Sequence, residues 1–496
     1  MLSYTASVIL SVFLRNFEGS LSYCVYIGKN HSADGHAWLA GYGDEPSSHW
    51  LEIFPEQSHP EDALVEVGVT PSADLPGVRS SIPQVVKSFR KIRVSYSHYK
   101  GVPAPVTNGG LNEHGVAVRS VWSPSRKELI EMTSKVQSGP SYSDLAGFVL
   151  ERATTAREGV EVIAKMIKKY GESTYGGNTH VIADATEAWI MIEPAGGKGL
   201  WAAERLSDDA IRACRPGYIG SIPIACENHP DFIYSQNLVS FAKEMGWYVD
   251  GNFDFNAIYG DGAGVWAGAR WVENELETRA MKPSRIEFRD MVWALRTERL
   301  TGDTAGYGQI VPLVNPVSNQ LRMLWHAPSG AVSAPFSPVF MGQTEIPLEF
   351  GKHRYLTVGE AARFLDTDKP VCGGPETLSK VSLRTESFTA AVVECKRLLY
   401  LILQNTDSFL EQANLAFTQR ERSLVLRTKK ILKTAEVLTD SGHRRQCEHL
   451  LDYFSTTELL EGLALVKALN ALFEIQVRAT EGLGHTSTPL AFDQIW

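Results

Sequence analysis

The chain has 496 residues, a formal net charge of −9 at pH 7 and 44% hydrophobic residues, with a pI near 5.9. That length suits two to three domains or one elaborated catalytic unit with a large core. The acidic balance, without a polybasic cluster beside an apolar segment, argues against nucleic acid and anionic membranes as partners.

Residues 1–23 form a prefix with a character of its own. Its apolar run, residues 5–14, is too short to span a membrane but is typical of the central part of a signal peptide. No Lys or Arg precedes this run, so a signal peptide, a non-secretory propeptide and a segment retained as a strand all stay open. The compartment is secretory or vesicular in the first case and cytoplasmic otherwise.

Cys24 follows this prefix at the head of an apolar strand-like run. If the bond between Tyr23 and Cys24 is cut, Cys24 carries both a nucleophilic thiol and a free α-amine. Because an α-amine has a pKa of about 7.7–8.0 and a thiol one of about 8.5, the neutral amine can accept the thiol proton. The alternative is a buried strand residue, which most free cysteines are.

Strands are predicted first along the chain and helices after them. Residues 24–123 are rich in Gly, Pro and alternating Val and Ile, which favours strands. Residues 141–144 and 155–158 have capping-box spacing and each begin a helix with one apolar face, and Gly171 is expected to end the second. We expect these two helices to cover a sheet.

Residues 180–184 and 188–193 are β-rich runs joined by a short polar turn, which predicts a hairpin. The helical pattern of residues 386–482 includes a core stripe with three-four spacing, made of Val392, Cys395, Leu399 and Ile402. This order predicts an α+β fold with a catalytic body and a helical C-terminal subdomain.

The spacing of the remaining cysteines predicts neither a disulfide framework nor a zinc site. Cys214, Cys226, Cys372, Cys395 and Cys447 show no CxxC spacing, which argues against disulfides and a zinc knuckle. We expect most of them to be free and buried.

Six segments in order along the chain carry a family resemblance. They are Cys24 with Gly28-Lys29 and Ala33-Asp34-Gly35; Asn112-Glu113-His114-Gly115-Val116-Ala117; residues 150–158 through Tyr170-Gly171; Ile182-Ala183-Asp184 with Glu187-Ala188-Trp189, Glu193 and Trp201-Ala202-Ala203; Leu295-Arg296 with Gly302 and Thr304; and Leu324-Trp325-His326-Ala327 to Ser333-Ala334-Pro335-Phe336. Through them the chain resembles the N-terminal-cysteine dipeptidases, which are relatives of the secernins and choloylglycine hydrolases.

The resemblance implies an α+β fold of the N-terminal nucleophile hydrolase type. It implies an αββα sandwich over residues 24–350, a mainly helical region over 351–496, and removal of the prefix 1–23 to expose Cys24. The implied activity is hydrolysis of small peptide substrates without a metal or organic cofactor. Nucleic acid and an integral membrane span are not expected, and homo-oligomerisation stays open.

The same resemblance suggests roles for three residues. Cys24 is the nucleophile, Asn112 matches the position of a neutral oxyanion donor, and Asp44 aligns with an acidic residue that can fix the α-ammonium group. Without the resemblance, Asn112 is a turn residue and Asp44 an exposed loop carboxylate.

Two stretches depart from the family pattern, and both bear on substrate preference and activity. Residues 40–44 read Ala-Gly-Tyr-Gly-Asp, where the family usually has Arg or a polar residue ahead of the Asp. Residues 214–217 read Cys-Arg-Pro-Gly, where relatives have an Asn.

Three alternatives stay open. A papain-like Cys–His pair could use His31, His36, His49 or His180, although none lies in a recognisable signature. A related amidase or acyltransferase would use the same nucleophile on a non-peptide amide. A secernin-like interaction protein would keep the fold without turnover.

Overall fold

The computed structural model describes residues 22–43, 49–96, 101–103, 105–226, 228–297, 306–352 and 390–481. Asp44 and residues 1–21 of the predicted prefix lie outside these ranges. Within them, most strands belong to two antiparallel sheets, with strands numbered in chain order. In spatial order, sheet A consists of β14 (Ile211–Cys214), β1 (Tyr23–Ile27), β2 (Ala37–Tyr42), β18 (Gly308–Leu313), β19 (Met323–Ala327) and β20 (Ser337–Phe340).

Sheet B is the larger sheet. In spatial order it consists of β16 (Phe232–Tyr234), β13 (Ala202–Leu206), β12 (Ala188–Glu193), β11 (Asn178–Ala183), β10 (Ala117–Trp122), β9 (Val106–Asn112), β8 (Lys91–Tyr96) and β3 (His49–Phe54). The short pairs are β4 (Gln57–Ser58) with β7 (Lys87–Ser88), β5 (Leu64–Val67) with β6 (Ser80–Pro83), and β15 (Ser221–Ile222) with β17 (Phe253–Asp254). The antiparallel pairing of β11 with β12 confirms the predicted hairpin.

The helices of the described residues fall between and after the strands. They are α1 (Lys127–Met132), α2 (Tyr142–Arg152), α3 (Ala156–Tyr170), α4 (Leu238–Glu244), α5 (Phe255–Tyr259), α6 (Ala267–Ala280), α7 (Phe288–Arg296), α8 (Ala391–Gln404), α9 (Thr406–Asp440) and α10 (Arg444–Glu481), with 3₁₀ turns at Lys29–His31, Asn319–Leu321 and Leu348–Phe350. In this part of the chain, none of them has the length and apolar character needed to cross a bilayer.

Three apolar cores define four layers, because successive residues of a strand point to opposite faces. Leu39 and Val311 of sheet A meet Val94 and Val181 of sheet B in the core between the sheets. The outer face of sheet A packs on α6 to α10, and the outer face of sheet B packs on α2 and α3. The order is therefore helices, sheet A, sheet B, helices, which confirms the predicted αββα arrangement of an α+β fold.

Capping residues close in sequence determine where α2 begins and where α3 begins and ends. Ser141 and Asp144 form the predicted capping box, which supplies partners for backbone N–H groups at the start of α2. At α3 the box is half formed, because Thr155 accepts from the Glu158 N–H while the Glu158 carboxylate turns to Thr154. Gly171 ends α3 with a positive φ of 78°, a conformation that favours glycine.

The C-terminal helices share a core with sheet A. The predicted stripe Val392, Cys395, Leu399 and Ile402 is buried. Arg296 at the end of α7 forms a bidentate, buried ion pair with Glu421 of α9, with Nη1–Oε2 and Nη2–Oε1 distances of 2.7 and 2.6 Å. Such a pair is costly to break from one side, because the remaining charge is left buried without its partner.

Candidate active site

Cys24 is the second residue of β1 and points between the two sheets. It is 1% exposed and belongs to the inter-sheet core together with Tyr26. In the strand register its neighbours are Gly41 on β2 and Cys214 on β14. Strand β1 thus holds the predicted nucleophile inside sheet A, on its inner face.

Cys214 is a titratable neighbour of Cys24 on the adjacent strand. Both thiols are free and buried. Their hydrogen bond, together with burial, raises the pKa of Cys214 well above its ordinary value. Cys214 therefore keeps its proton, and its S–H can donate to the sulfur of Cys24.

Residues paired across the neighbouring strands of sheet A form a row that begins at Cys24. Gly41 lies opposite Gln309 of β18, and Gln309 lies opposite His326 of β19. At about 4.8 Å per strand, the Cα of Gln309 is about 10 Å and that of His326 about 14 Å from Cys24. Burial, with a smaller contribution from nearby His49, lowers the pKa of His326 to about 3, so its imidazole is neutral near pH 7.

Arg119 crosses from sheet B toward this row. It lies on β10 between Ala117 and Val121, which face the inter-sheet core, and it is fully buried. A Cβ placed on Gly41 would lie 2.7 Å from Arg119 Nε, so any other residue at this position would require the arginine to shift. The guanidinium therefore passes over the strand position next to Cys24.

Several buried polar atoms on the facing surfaces of the two sheets have no hydrogen-bond partner. They are Nε and Nη2 of Arg119, Oε1 of Gln309, Nδ1 of His326 and Oγ1 of Thr179. Unused buried donors and acceptors cost free energy and need an explanation. Near a buried thiol, this pattern is typical of a site that binds a polar substrate.

Asn112 lies elsewhere, and its side chain is fully used in other hydrogen bonds, which disfavours the predicted role as oxyanion donor. Its Nδ2 donates to the carbonyls of Leu150 and Ala153 at 3.2 and 2.8 Å. Its Oδ1 accepts from the N–H groups of His114 and Val116, both at 3.0 Å. The side chain thus joins the outer face of sheet B to the end of α2, on the opposite face of β9 from the inter-sheet core.

The structure brings none of the four candidate histidines to Cys24. His31 contacts the Asp209 carbonyl, and the ring of His36 packs on Trp38. His49 lies beside Tyr96 and Tyr307, with ring centroids 5.7 and 5.4 Å away. Among the described residues, Cys24 has no hydrogen bond to a histidine, which disfavours the papain-like alternative.

His180 belongs to a separate network under the outer face of sheet B. Its Nδ1 lies 2.7 Å from Ser120 Oγ and its Nε2 lies 3.4 Å from Glu193 Oε2. Burial lowers the pKa of His180 to about 3 and raises that of Glu193. All three side chains are buried, so this Ser–His–Glu arrangement lies inside the core and away from Cys24.

Tyr23, the residue before Cys24, is part of β1. Its ring is buried and packs edge-on against Tyr42 with centroids 4.9 Å apart. Its hydroxyl donates to the Ala294 carbonyl. In the uncut chain the nitrogen of Cys24 is therefore a peptide amide inside sheet A, and the last residue of the prefix fills part of the core.

Sequence reasoning missed Arg119, Gln309 and the pairing of Cys24 with Cys214. One usable signal was the single Arg in the otherwise uncharged run 117–122. Another was Gly41 inside a strand, which often marks the close approach of another group. Residues 214–217 depart from the family pattern, but the sequence does not show that Cys214 is paired with Cys24 in the sheet.

The described residues contain no candidate metal site and do not include Asp44. Among the described residues, no group of three or more His, Cys, Asp or Glu side chains is arranged to hold a metal ion. Asp44 lies outside the described residues, so its suggested role at the α-ammonium group rests on the resemblance alone.

Comparison with known proteins points to one family. The model of peptidase family C69 matches residues 24–265, beginning at Cys24. Proteins named probable dipeptidase B from two strains of Streptococcus pyogenes serotype M3 are each 29% identical over 265 residues. The matches cover 51% of this chain and 49% of those proteins, so the chain spans about half the length of these curated relatives.

Two solved structures of variants of the conjugated bile acid hydrolase from Clostridium perfringens are more distantly similar. Each has a TM-score of 0.30 and 9% identity. They cover 68% and 65% of this chain and 100% and 93% of their own. The match of residues 24–265 to the model of peptidase family C69 supports the predicted resemblance to the N-terminal-cysteine dipeptidases.

Proposed function

We propose that this protein is a cysteine-type N-terminal nucleophile hydrolase that cleaves short peptides, with dipeptides as its principal substrates, once residues 1–23 are removed. The observation that carries the proposal is the position of Cys24. It starts the segment that matches peptidase family C69, and it points into the inter-sheet core among buried polar atoms that have no partner.

In this mechanism Cys24 needs no histidine. Its own α-amine, free after cleavage, takes the thiol proton, and the thiolate attacks the scissile carbonyl. The amine then returns the proton to the leaving amine as the thioester forms, and water hydrolyses the thioester. Asp44 is proposed to hold the α-ammonium group, and the oxyanion needs donors other than Asn112.

The first test compares two buried cysteines. We expect Cys24→Ala to abolish dipeptide hydrolysis while the melting temperature changes little, since a small apolar residue remains in β1. Cys395→Ala is the matched control, because Cys395 is a free, buried cysteine of α8 in the core on the other face of sheet A, and it should keep its turnover. Hydrolysis by purified Cys24→Ala would refute the mechanism.

Two other outcomes separate the alternatives. Faster acyl transfer to added amines than to water would identify an acyltransferase. An intact mass that retains residues 1–23, without turnover of any amide tested, would favour a non-enzymatic interaction protein.

A further inference from the structure

We propose that Arg119 binds the free carboxylate of the substrate, so that the site selects dipeptides by their C-terminal carboxylate. This inference rests on the proposed peptidase function. It concerns a residue that lies outside the sequence motifs of the family resemblance, and it follows from the position and the unused donors of one side chain.

Arg119 is fully buried and has no acidic partner within the described part of the chain. Its hydrogen bond from Nη1 reaches the Tyr307 hydroxyl at 2.6 Å. The guanidinium also lies 4.7 Å from the centroid of the Tyr307 ring. A guanidinium keeps its positive charge in proteins, and a buried charge without a counter-ion is strongly unfavourable.

The two free donors have the geometry of a carboxylate clamp. Nε and Nη2 of Arg119 are both buried and both lack a partner. These atoms form one side of the planar guanidinium, which can bind both oxygens of a carboxylate at once. Arg427 uses the same two atoms to bind Glu458, at 2.9 and 2.8 Å.

The distance to Cys24 fits a dipeptide. Arg119 passes directly over Gly41, and Gly41 is paired with Cys24. Side chains of paired strand residues are about 4.5–5.5 Å apart at Cβ. In a dipeptide the terminal carboxylate carbon is three bonds from the attacked carbonyl carbon and thus less than about 4 Å away. The carboxylate can therefore reach Arg119 while Cys24 attacks.

This arrangement predicts that a dipeptide with a free C-terminal carboxylate is a better substrate than the corresponding dipeptide amide. A dipeptide amide offers no negative charge, so the guanidinium stays unpaired when that substrate binds. Sites built to bind a polar group reject analogues that lack it by large factors. We expect kcat/KM for alanyl-alanine to exceed that for alanyl-alaninamide by about 10²-fold or more.

The test measures kcat and KM for both substrates with the mature wild type, Arg119→Met and Arg119→Lys. We expect Arg119→Met to lose most of the preference for the free acid, mainly through KM, with little change for the amide. Arg119→Lys keeps the charge but loses the planar clamp, so it should be intermediate.

Thermal unfolding supplies a readout that a purely structural arginine would not give. Removal of an unpaired buried charge should leave the melting temperature of Arg119→Met unchanged or raise it. The matched control is Arg296→Met, which leaves the Glu421 carboxylate buried alone. That control should lower the melting temperature and preserve the substrate preference of the folded protein.

Each contrary result has a distinct meaning. If the wild type cleaves the acid and the amide equally well, the carboxylate proposal fails and the peptidase function stands. If Arg119→Met slows both substrates equally through kcat, Arg119 acts on the transition state and the proposal is overturned. Aspartyl-alaninamide has a carboxylate on its acyl-side residue but none at its C-terminus. If it is cleaved as well as alanyl-alanine, the carboxylate proposal is overturned too. If the mature wild type cleaves neither substrate, the proposed function itself fails.

Discussion

The chemistry of Cys24 depends on what its nitrogen carries. In the uncut chain that nitrogen is an amide within β1, and it has no basic lone pair. The neighbouring thiol of Cys214 is hydrogen-bonded to Cys24 and keeps its own proton. In the proposed mechanism the cut would supply the base for Cys24, so that activation of the nucleophile would depend on removal of the prefix.

Asn112 is expected to act on stability. Asn112→Ala removes four hydrogen bonds at a fully buried position, so the free energy of unfolding should fall by about 3 kcal/mol. Urea unfolding measures this change, while kcat of the folded fraction should stay at the wild-type value.

Asn112→Asp sharpens this test. The aspartate can still accept from His114 and Val116, but it faces the carbonyls of Leu150 and Ala153 with no N–H to donate. It should therefore also be destabilised. An unchanged unfolding midpoint, with kcat of Asn112→Ala lowered about 10²- to 10³-fold, would restore the oxyanion role.

Sequence reasoning identified Cys24 because its position after the prefix and its motifs are local properties of the chain. Arg119 and Gln309 could not be found in this way, because their positions relative to Cys24 depend on which strands lie side by side and which face each other. Arg119 reaches Gly41 only because sheet B packs on sheet A. Asn112 carried the right motif, but the motif does not say which face of β9 the side chain occupies.

At the scale of elements, β1 is the strand that the proposed removal of the prefix would change. Tyr23 is buried against Tyr42 and donates to the Ala294 carbonyl. The proposed removal of Tyr23 would open a space in the core between sheet A and α7. Truncation of a buried aromatic residue typically costs about 3–5 kcal/mol.

We therefore expect a chain that begins at Cys24 to be less stable than the uncut chain by about 3–5 kcal/mol. Urea unfolding of the two forms measures the difference. Tyr23→Phe in the uncut chain is the control, since it removes only the hydroxyl and should cost about 1 kcal/mol. Equal unfolding midpoints for the trimmed and uncut chains would show that Tyr23 contributes nothing to the core.

Element boundaries were predictable where side chains near in sequence determine them. The Ser141 box, the Gly171 end and the β11–β12 hairpin all depend on residues within a few positions of each other. The Glu158 carboxylate instead pairs with Thr154, one residue before the expected cap, because both residues offer a hydroxyl and a backbone N–H. Spacing alone could not choose between them.

At the scale of the molecule, the four layers place the site and explain its burial. The core between the sheets holds Cys24, and helices cover both outer faces. Helices α8 to α10 pack on sheet A and are tied to α7 by Arg296 and Glu421. The boundary near residue 350 and the release of residues 1–23 remain predictions about the organisation of the chain.

The central claim is that a free amine on Cys24 creates the activity, and one measurement tests it directly. Dipeptide hydrolysis is assayed on two preparations whose termini are verified by intact mass: one that begins at Cys24 after removal of an initiator Met, and one that retains Tyr23. We predict turnover by the first and none by the second, although both are folded. Equal turnover by the chain that retains Tyr23 would contradict the claim, because its Cys24 nitrogen cannot accept a proton.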